Sequence, residues 1–181
     1  MSVLWGGRKR NRMNQIIKLN EEQEADFMAL TQKLHKEMIN QNMYCPFEED
    51  FINVLNPDNH FSVGAYDNEM LMGGFTVYFP TEVDCYSNYL DMDIPLAATA
   101  HMDNCAIADN YRGRKLQVKL CKYCEQILCD QYPNRVHLLC TVHPQNYASM
   151  KNMLSCGYKV IKEVDHIYGD QIRCILYKKL S

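Results

Sequence analysis

The stretch from Cys105 to Gln117, Cys-Ala-Ile-Ala-Asp-Asn-Tyr-Arg-Gly-Arg-Lys-Leu-Gln, runs from an apolar, strand-like segment through a cationic, glycine-bearing turn straight into a helical pattern. A chain that joins strand to helix this tightly is committed to layers of sheet and helix. The junction also carries chemistry. Peptide N–H groups in the first turn of a helix lack intrahelical partners, the helix dipole is positive at that end, and Gly113 lets the backbone come close to a ligand. Arg112, Arg114 and Lys115 add positive charge at the same spot. An anion, above all a phosphate-bearing one, is the guest that such a turn suits.

The pattern on either side predicts one compact domain, residues 14–181, in a chain of 181 residues with no polar linker. Gln15 to Leu19 reads as a strand, and Asn20 followed by Gln23 opens a long helix faced by Phe27, Leu30, Leu34 and Met38. Pro46 begins a second, shorter helix with Phe47, Phe51 and Leu55 on one side, stopped by Asn56-Pro57. Phe61 to Tyr66 and Met70 to Phe79 are strands around a turn at Asp67-Asn68-Glu69. Residues 80–99 have no clean period and read as a long loop or partly helical insertion. Ala100 to Ile107 is a strand, Leu116 to Gln131 a helix, and Arg135 to His143 another strand. A helix beginning at Pro144-Gln145-Asn146 closes near Cys156-Gly157. Tyr158 to Ile167 and Ile172 to Leu180 make a final strand pair. The order is β-α-α-β-β-β-α-β-α-β-β, an α/β (α+β) protein.

Composition removes several classes of function. Residues 1–13 carry Arg8, Lys9, Arg10 and Arg12 without the apolar core of a secretory signal, and read as a disordered basic tail, with Met13 a possible true start. No apolar run approaches a membrane span. The nine cysteines are odd in number and scattered through apolar segments, which suits reduced thiols in a cytoplasm better than a disulfide framework. Cys121 and Cys124 form a Cys-x-x-Cys inside a helical pattern, with no second pair or His-x3-5-His to complete a zinc site, so no metal is expected. The chain lacks both Gly-x-x-x-x-Gly-Lys-Ser/Thr and Gly-x-Gly-x-x-Gly, which disfavours a generic nucleotide-binding protein. A net charge of −3 hides a strong asymmetry: no Lys or Arg falls between Lys36 and Arg112, a stretch rich in Asp and Glu, and basic residues dominate afterwards. One half suits a cation and the other an anion, or the bias is that of a solvated surface.

The element order and two stretches resemble the GCN5-related N-acetyltransferases, the GNAT superfamily. Ile107 to Gln117 is similar to that family's pyrophosphate turn, hydrophobic-x-Pro-x-Tyr-Arg-Gly-x-Gly-Leu-Gly. Thr141-Val-His-Pro-Gln-Asn-Tyr-Ala-Ser149, leading to Gly157-Tyr158, is similar to its strand end, Asn-x-x-Ser/Ala helix and closing Gly-aromatic. Tyr168-Gly-Asp-Gln-Ile-Arg173 fits the terminal hairpin of a bacterial-type branch that writes the turn as Arg-Gly-x-x-Leu-Gln. Two departures stand out. The small residues of the consensus turn are Lys115 and Gln117 here, and Met153 occupies the position where many relatives carry a tyrosine as proton donor to the departing thiolate, leaving that role unassigned or with water.

The resemblance implies a mixed, mostly antiparallel central sheet flanked by about four helices, with a splay between the two central strands. It implies acetyl-coenzyme A (acetyl-CoA) as co-substrate and direct transfer of acetyl to a primary amine in a ternary complex, or a non-catalytic acyl-CoA sensor that kept the pocket. Cys105, Ala106 and Ile107, then Arg112, Gly113, Arg114, Lys115, Leu116 and Gln117, and then Asn146, Ser149 and Lys151 would hold the cofactor. A main-chain N–H near Ile107 would face the thioester oxygen, and one such donor is worth about 10²–10³ in rate. His101, standing where histone-acetylating relatives keep a glutamate, is the first candidate for the general base and Asp103 the second, or either is a hydrogen-bonded residue at a strand end. A strand's period of two places His101, Asp103, Cys105 and Ile107 on one face. Glu82, Asp84, Tyr86 and Tyr89 are candidates for an acceptor wall that draws in a cationic amine. The expected partner is a small-molecule or peptide amine, with no nucleic acid and no membrane, and the chain is expected to be a monomer or homodimer.

Overall fold

The computed structural model describes residues 15–44 and 58–181; the basic tail and the helix expected from Pro46 lie outside the described residues. Chain order gives β1 (Gln15–Lys18), α1 (Glu21–Glu37), β2 (His60–Asp67), β3 (Met70–Tyr78), β4 (Thr99–Ile107), α2 (Leu116–Gln131), β5 (His137–Val142), α3 (Tyr147–Ser155), β6 (Lys159–Tyr168) and β7 (Gln171–Lys179). The strands form one seven-stranded sheet in the order β1-β2-β3-β4-β5-β7-β6. Every neighbouring pair is antiparallel except β4 and β5, which are parallel. This is the mixed, mostly antiparallel sheet that the sequence led us to expect, with three α-helices among the described residues.

Local chemistry sets the elements. The Asn20 side chain accepts from the Gln23 N–H at 3.0 Å while the Gln23 side chain accepts from the Asn20 N–H at 3.1 Å, a reciprocal cap that starts α1. Gly169, at φ +63°, makes the two-residue turn between β6 and β7, where Tyr168 pairs with Gln171. Asn146 caps α3 by accepting from the Ser149 N–H.

Two helix layers cover the sheet. On one face α2 buries Leu116, Leu120, Cys124, Ile127 and Leu128 against Phe61, Val63, Phe75, Val77, Met102 and Leu138, each large side chain stabilising the fold by about 1.5–3 kcal/mol. On the other, Phe27 and Leu34 of α1 pack on Leu19 and Ala106. Residues 80–99 lie beside α1 on this second face: two short 3-10 turns, Tyr86–Tyr89 and Leu96–Ala98, seat Tyr86, Leu90 and Ile94 on Leu139 and Ile175. The segment without a clean period is thus anchored by three buried side chains rather than by regular structure. Lys178 on β7 locks the far end, reaching Glu125 of α2 at 2.7 and 2.8 Å and the Cys156 carbonyl at 2.8 Å.

Helix α1 sits close because β3 offers it a glycine. A Cβ on Gly74 would stand 2.7–2.9 Å from the Phe27 ring. Gly74→Ala is therefore expected to push α1 off the sheet and cost about 1–3 kcal/mol, read as a lower midpoint in urea unfolding.

Candidate active site

The parallel pairing of β4 with β5 runs only through Thr99–His137, Ala100–Leu138 and His101–Leu139. Beyond it the strands part, and a cavity of about 620 Å³ opens between Cys105, Ala106 and Ile107 on one side and Cys140, Thr141 and Val142 on the other. The Ala108 N–H donates to the Met72 carbonyl at 2.9 Å, on the β3 side of the strand. By the alternation of a strand's hydrogen-bonding groups, the Ile107 N–H faces the gap.

At the end of β4 the cationic turn is built to present main chain. Arg112 folds back, its Nε donating to the Ile107 carbonyl at 3.2 Å and its guanidinium pairing with Asp109 at 2.9 Å, while Arg114 lies over the Tyr111 ring. Gly113 takes φ +76°, and a Cβ there would meet nothing within 4 Å. The need for glycine is conformational, and the space in front of it is open. Lys115, at φ 57° and ψ 27°, adopts a left-handed conformation despite its Cβ, at a cost of about 1–2 kcal/mol. That is the position where the family writes glycine. Among the described residues, no carbonyl or side chain accepts from the main-chain N–H groups of residues 113–118. These donors gather at the positive end of α2, and with Gly113, Lys115, Leu116 and Gln117 lining the cavity they form a cradle of the kind that suits an anion.

The side chains next to the cradle have structural partners of their own. Gln117 donates to the Ser149 hydroxyl at 3.0 Å and accepts from Asn152 at 2.8 Å, so it braces α2 against α3. Asn146 is occupied in capping α3. Lys115 and Lys151 line the cavity with exposed side chains, Leu116 lines it from the helix mouth, and Arg114 does not line it. Met153 is buried and lines the cavity.

The face reading for β4 requires correction. Cys105 pairs with Phe75 and Met102 with Val77, so Asp103 and Asn104 together oppose a single residue of β3. This bulge breaks the period of two. Cys105 and Ile107 pack on the α2 side, whereas His101 stacks on Tyr86, Asp103 contacts the Tyr86 hydroxyl, and Asn104 reaches Met28 of α1.

The two candidate bases differ in environment. His101 is 1 % exposed, its ring lies 3.8 Å from that of Tyr86, and its Nε2 accepts from the Tyr86 main-chain N–H at 3.2 Å. Burial lowers its pKa to about 3, so it is a neutral platform for Tyr86, and it does not line the cavity. Asp103 does line it. Burial raises the Asp103 carboxyl from 3.8 to about 6, with the Tyr86 hydrogen bond lowering it and the charge of Asp84 adding to the rise. A carboxylate that ionises near neutrality suits a general base.

The residues expected to form an acceptor wall do not line the described cavity. Asp84 accepts from the Tyr78 hydroxyl and the Thr81 N–H, each at 2.6 Å, and from the Thr81 hydroxyl at 2.9 Å, so it holds its own turn. Neither it, Glu82 nor Tyr89 lines the cavity, and Tyr86 touches its edge only through hydroxyl contacts to Asp103 and Tyr168. Among the described residues, the cavity is lined away from the helix mouth by Leu34, Met38, Met43, Tyr44, Asn104, Tyr168 and Arg173. Periodicity says nothing of Tyr44 or Tyr168, which arrive from a short 3-10 turn, Gln41–Met43, beyond α1 and from the β6–β7 hairpin. Among the described residues no group of three or more His, Cys, Asp or Glu is placed to hold a metal. Cys121 and Cys124 are buried within α2; the hydrogen bond to Cys156, with burial, pushes the Cys121 thiol up, and burial pushes up that of Cys124. No helix among the described residues is long and apolar enough to cross a membrane.

Comparison with known proteins agrees with this architecture. The profile described as "Acetyltransferase (GNAT) family" matches residues 19–158; the chain belongs to that family. No curated protein matches it significantly. Among solved structures it is similar to the ribosomal-protein-S18-alanine N-acetyltransferase of Escherichia coli, at 14 % identity and TM-score 0.66, covering 93 % of this chain and 95 % of that one. It is also similar to NAA60 of Arabidopsis thaliana. With a bisubstrate analogue bound, that protein matches at 12 % identity and TM-score 0.72; with acetyl-CoA bound, at 14 % and 0.67; in both, 93 % of this chain and 100 % of that one are covered. At such identities the shared feature is the fold.

Two outcomes follow from the geometry. Gly113→Val forces a β-branched residue into a left-handed conformation and fills the open front of the cradle, so acetyl-CoA affinity measured by calorimetry should fall at least about tenfold, or 1.4 kcal/mol. Asp103 prefers its proton more strongly in the folded than in the unfolded state; its contribution to stability is present at low pH and lost as pH rises through about 6. Asp103→Asn should therefore raise the melting temperature at alkaline pH, with the gain vanishing in acid.

Proposed function

We propose that the protein is an N-acetyltransferase that moves acetyl from acetyl-CoA to a primary amine in a ternary complex. The observation that carries this reading is the set of unaccepted N–H groups at residues 113–118, four of which, at Gly113, Lys115, Leu116 and Gln117, belong to residues lining the cavity between β4 and β5. A diphosphate fits that cradle, and the gap suits an extended pantetheine arm running between Cys105–Ile107 and Cys140–Val142. Bound there, acetyl-CoA supplies an electrophilic thioester carbonyl and a thiolate leaving group.

The chain's own residues then have separate tasks. The Ile107 N–H polarises the thioester oxygen, Lys115 and Lys151 add charge near the phosphates, and Gln117 with Ser149 keeps the two helix mouths in register. Asp103 takes the role of base in preference to His101, whose ring nitrogen is engaged and whose burial keeps it uncharged. The acceptor is a small-molecule or peptide amine. The apolar wall of Leu34, Met38 and Met43 does not favour a strongly cationic one. Eight described cysteines, all free thiols and mostly buried, suit a reducing cytoplasm.

The second reading, a non-catalytic acyl-CoA sensor, draws on Met153, since no tyrosine stands ready to protonate the leaving thiolate from that position. Thiol release from acetyl-CoA, measured with free-amine peptides and small amines, separates the two: an acetylated amine in step with released thiol supports the enzyme, and binding without release supports the sensor. Lys115→Glu, which puts a negative charge at the mouth of α2, should raise KM for acetyl-CoA about tenfold, or 1.4 kcal/mol, with little change in kcat.

A further inference from the structure

The acceptor side of the cavity contains a chain of hydroxyl groups that the assignment of Asp103 alone leaves unused. The Tyr86 hydroxyl donates to Asp103 Oδ2 at 3.3 Å. On its other side it meets the Tyr168 hydroxyl in a short hydrogen bond, and Tyr168 stands 3.4 Å from the Thr141 hydroxyl at the parting end of β5. Tyr86 is buried, whereas Tyr168 lines the cavity. The four groups come from four parts of the chain: the β4 bulge, the 80–99 segment, the β6–β7 hairpin and the end of β5.

Building on the acetyl-transfer reading above, we propose that Tyr168 meets the acceptor amine and that its proton passes through Tyr86 to Asp103. Each hydroxyl takes one proton and gives one up. The ammonium proton goes to Tyr168 oxygen, the Tyr168 proton to Tyr86 oxygen, and the Tyr86 proton to the Asp103 carboxylate; both phenols end neutral and the amine is free to attack. As the C–N bond forms and the C–S bond breaks, the second amine proton leaves with the thiolate as a thiol. Asp103 then returns its proton to solvent, so one proton is released per turnover.

Several features fit a relay better than an incidental contact. The Tyr86 ring is clamped face to face on His101, 2° from parallel, and its main-chain N–H is held by the same imidazole. A phenol fixed at both ends keeps its hydroxyl on line between acid and substrate, which makes His101 a positioning residue. Burial keeps Tyr86 protonated, its pKa pushed well above 10, so it passes protons without becoming a phenolate. The groups that face Asp103 among the described residues are Tyr86 and Asp84 from the 80–99 segment, Tyr78 of β3, Cys140 of β5 and, through Tyr86, Tyr168. Of these Tyr86 bonds the carboxylate, and that bond favours ionisation.

The test uses the whole chain with acetyl-CoA and a set of free-amine tetrapeptides and linear diamines, following thiol release on either side of the Asp103 midpoint. Expected are a fall in kcat of about 10²-fold for Tyr168→Phe with KM for acetyl-CoA unchanged, and for Tyr86→Phe a similar fall with the acid limb of kcat/KM moved to higher pH. Asp103→Asn should erase that limb. Carbon-13 NMR titration of the Asp103 carboxyl reads the same upward shift in Tyr86→Phe without turnover, and covers the case of a Tyr168 variant that folds poorly. Wild-type kcat in Tyr168→Phe, or an unmoved acid limb and NMR midpoint in Tyr86→Phe, overturns the relay alone. Absence of thiol release from the wild-type protein with every amine overturns acetyl transfer itself and the relay with it.

Discussion

The structure turns on three residue pairs. Parallel pairing between β4 and β5 holds the two halves of the sheet together from Thr99 to His101 and then stops. Strand edges left without partners inside a protein are costly, because each buried N–H or carbonyl that loses water must find another partner. Here the unpaired edges face a cavity, where a ligand rich in amides can supply those partners. The same interruption sets the end of β4 beside the mouth of α2, so the residues of the cradle and Ile107 share one cavity. Longer pairing would close the gap and remove the site without unfolding the protein.

What keeps the gap in shape is the helix packed beneath it. Helix α2 is anchored through its apolar stripe to β2, β3 and β4, while Lys178 clasps Glu125 and the Cys156 carbonyl and so joins α2, α3 and β7. Partly buried charges of this sort are poor sources of net stability but costly to separate. They act here as a clasp. At the other end of α2, Gln117 reaches Ser149 and Asn152, so the two helices flanking the cradle are tied at both ends and their N–H groups are held in place before a ligand arrives.

The elements were legible because local rules govern them. The reciprocal cap at Asn20, the stripe from Leu116 to Leu128 and the Gly169 turn each have a short-range cause, and each falls where the sequence places it. The cradle was legible for the same reason, since a strand, a glycine turn and a helix in succession leave few arrangements. The far wall of the cavity was not. Its residues converge from α1, the bulge and the terminal hairpin, and only tertiary contacts bring Asp103, Tyr86 and Tyr168 together. The bulge at Asp103 and Asn104 defeats any count by twos, which is why His101 and Cys105 share a face on paper and stand on opposite faces in the fold. Asp84 and Glu82 misled in another way: an acidic run looks like a surface for cations, yet Asp84 spends its oxygens on Thr81 and Tyr78.

That one extra residue in β4 divides a single strand between the two layers of the molecule. The side chains at 103 and 104 turn towards Tyr86 and α1, and from Cys105 onward the alternation resumes with Cys105 and Ile107 on the α2 side. All four residues line the same cavity. Substitution at the first pair can therefore reshape one wall of that cavity while the wall beside the mouth of α2 keeps its form.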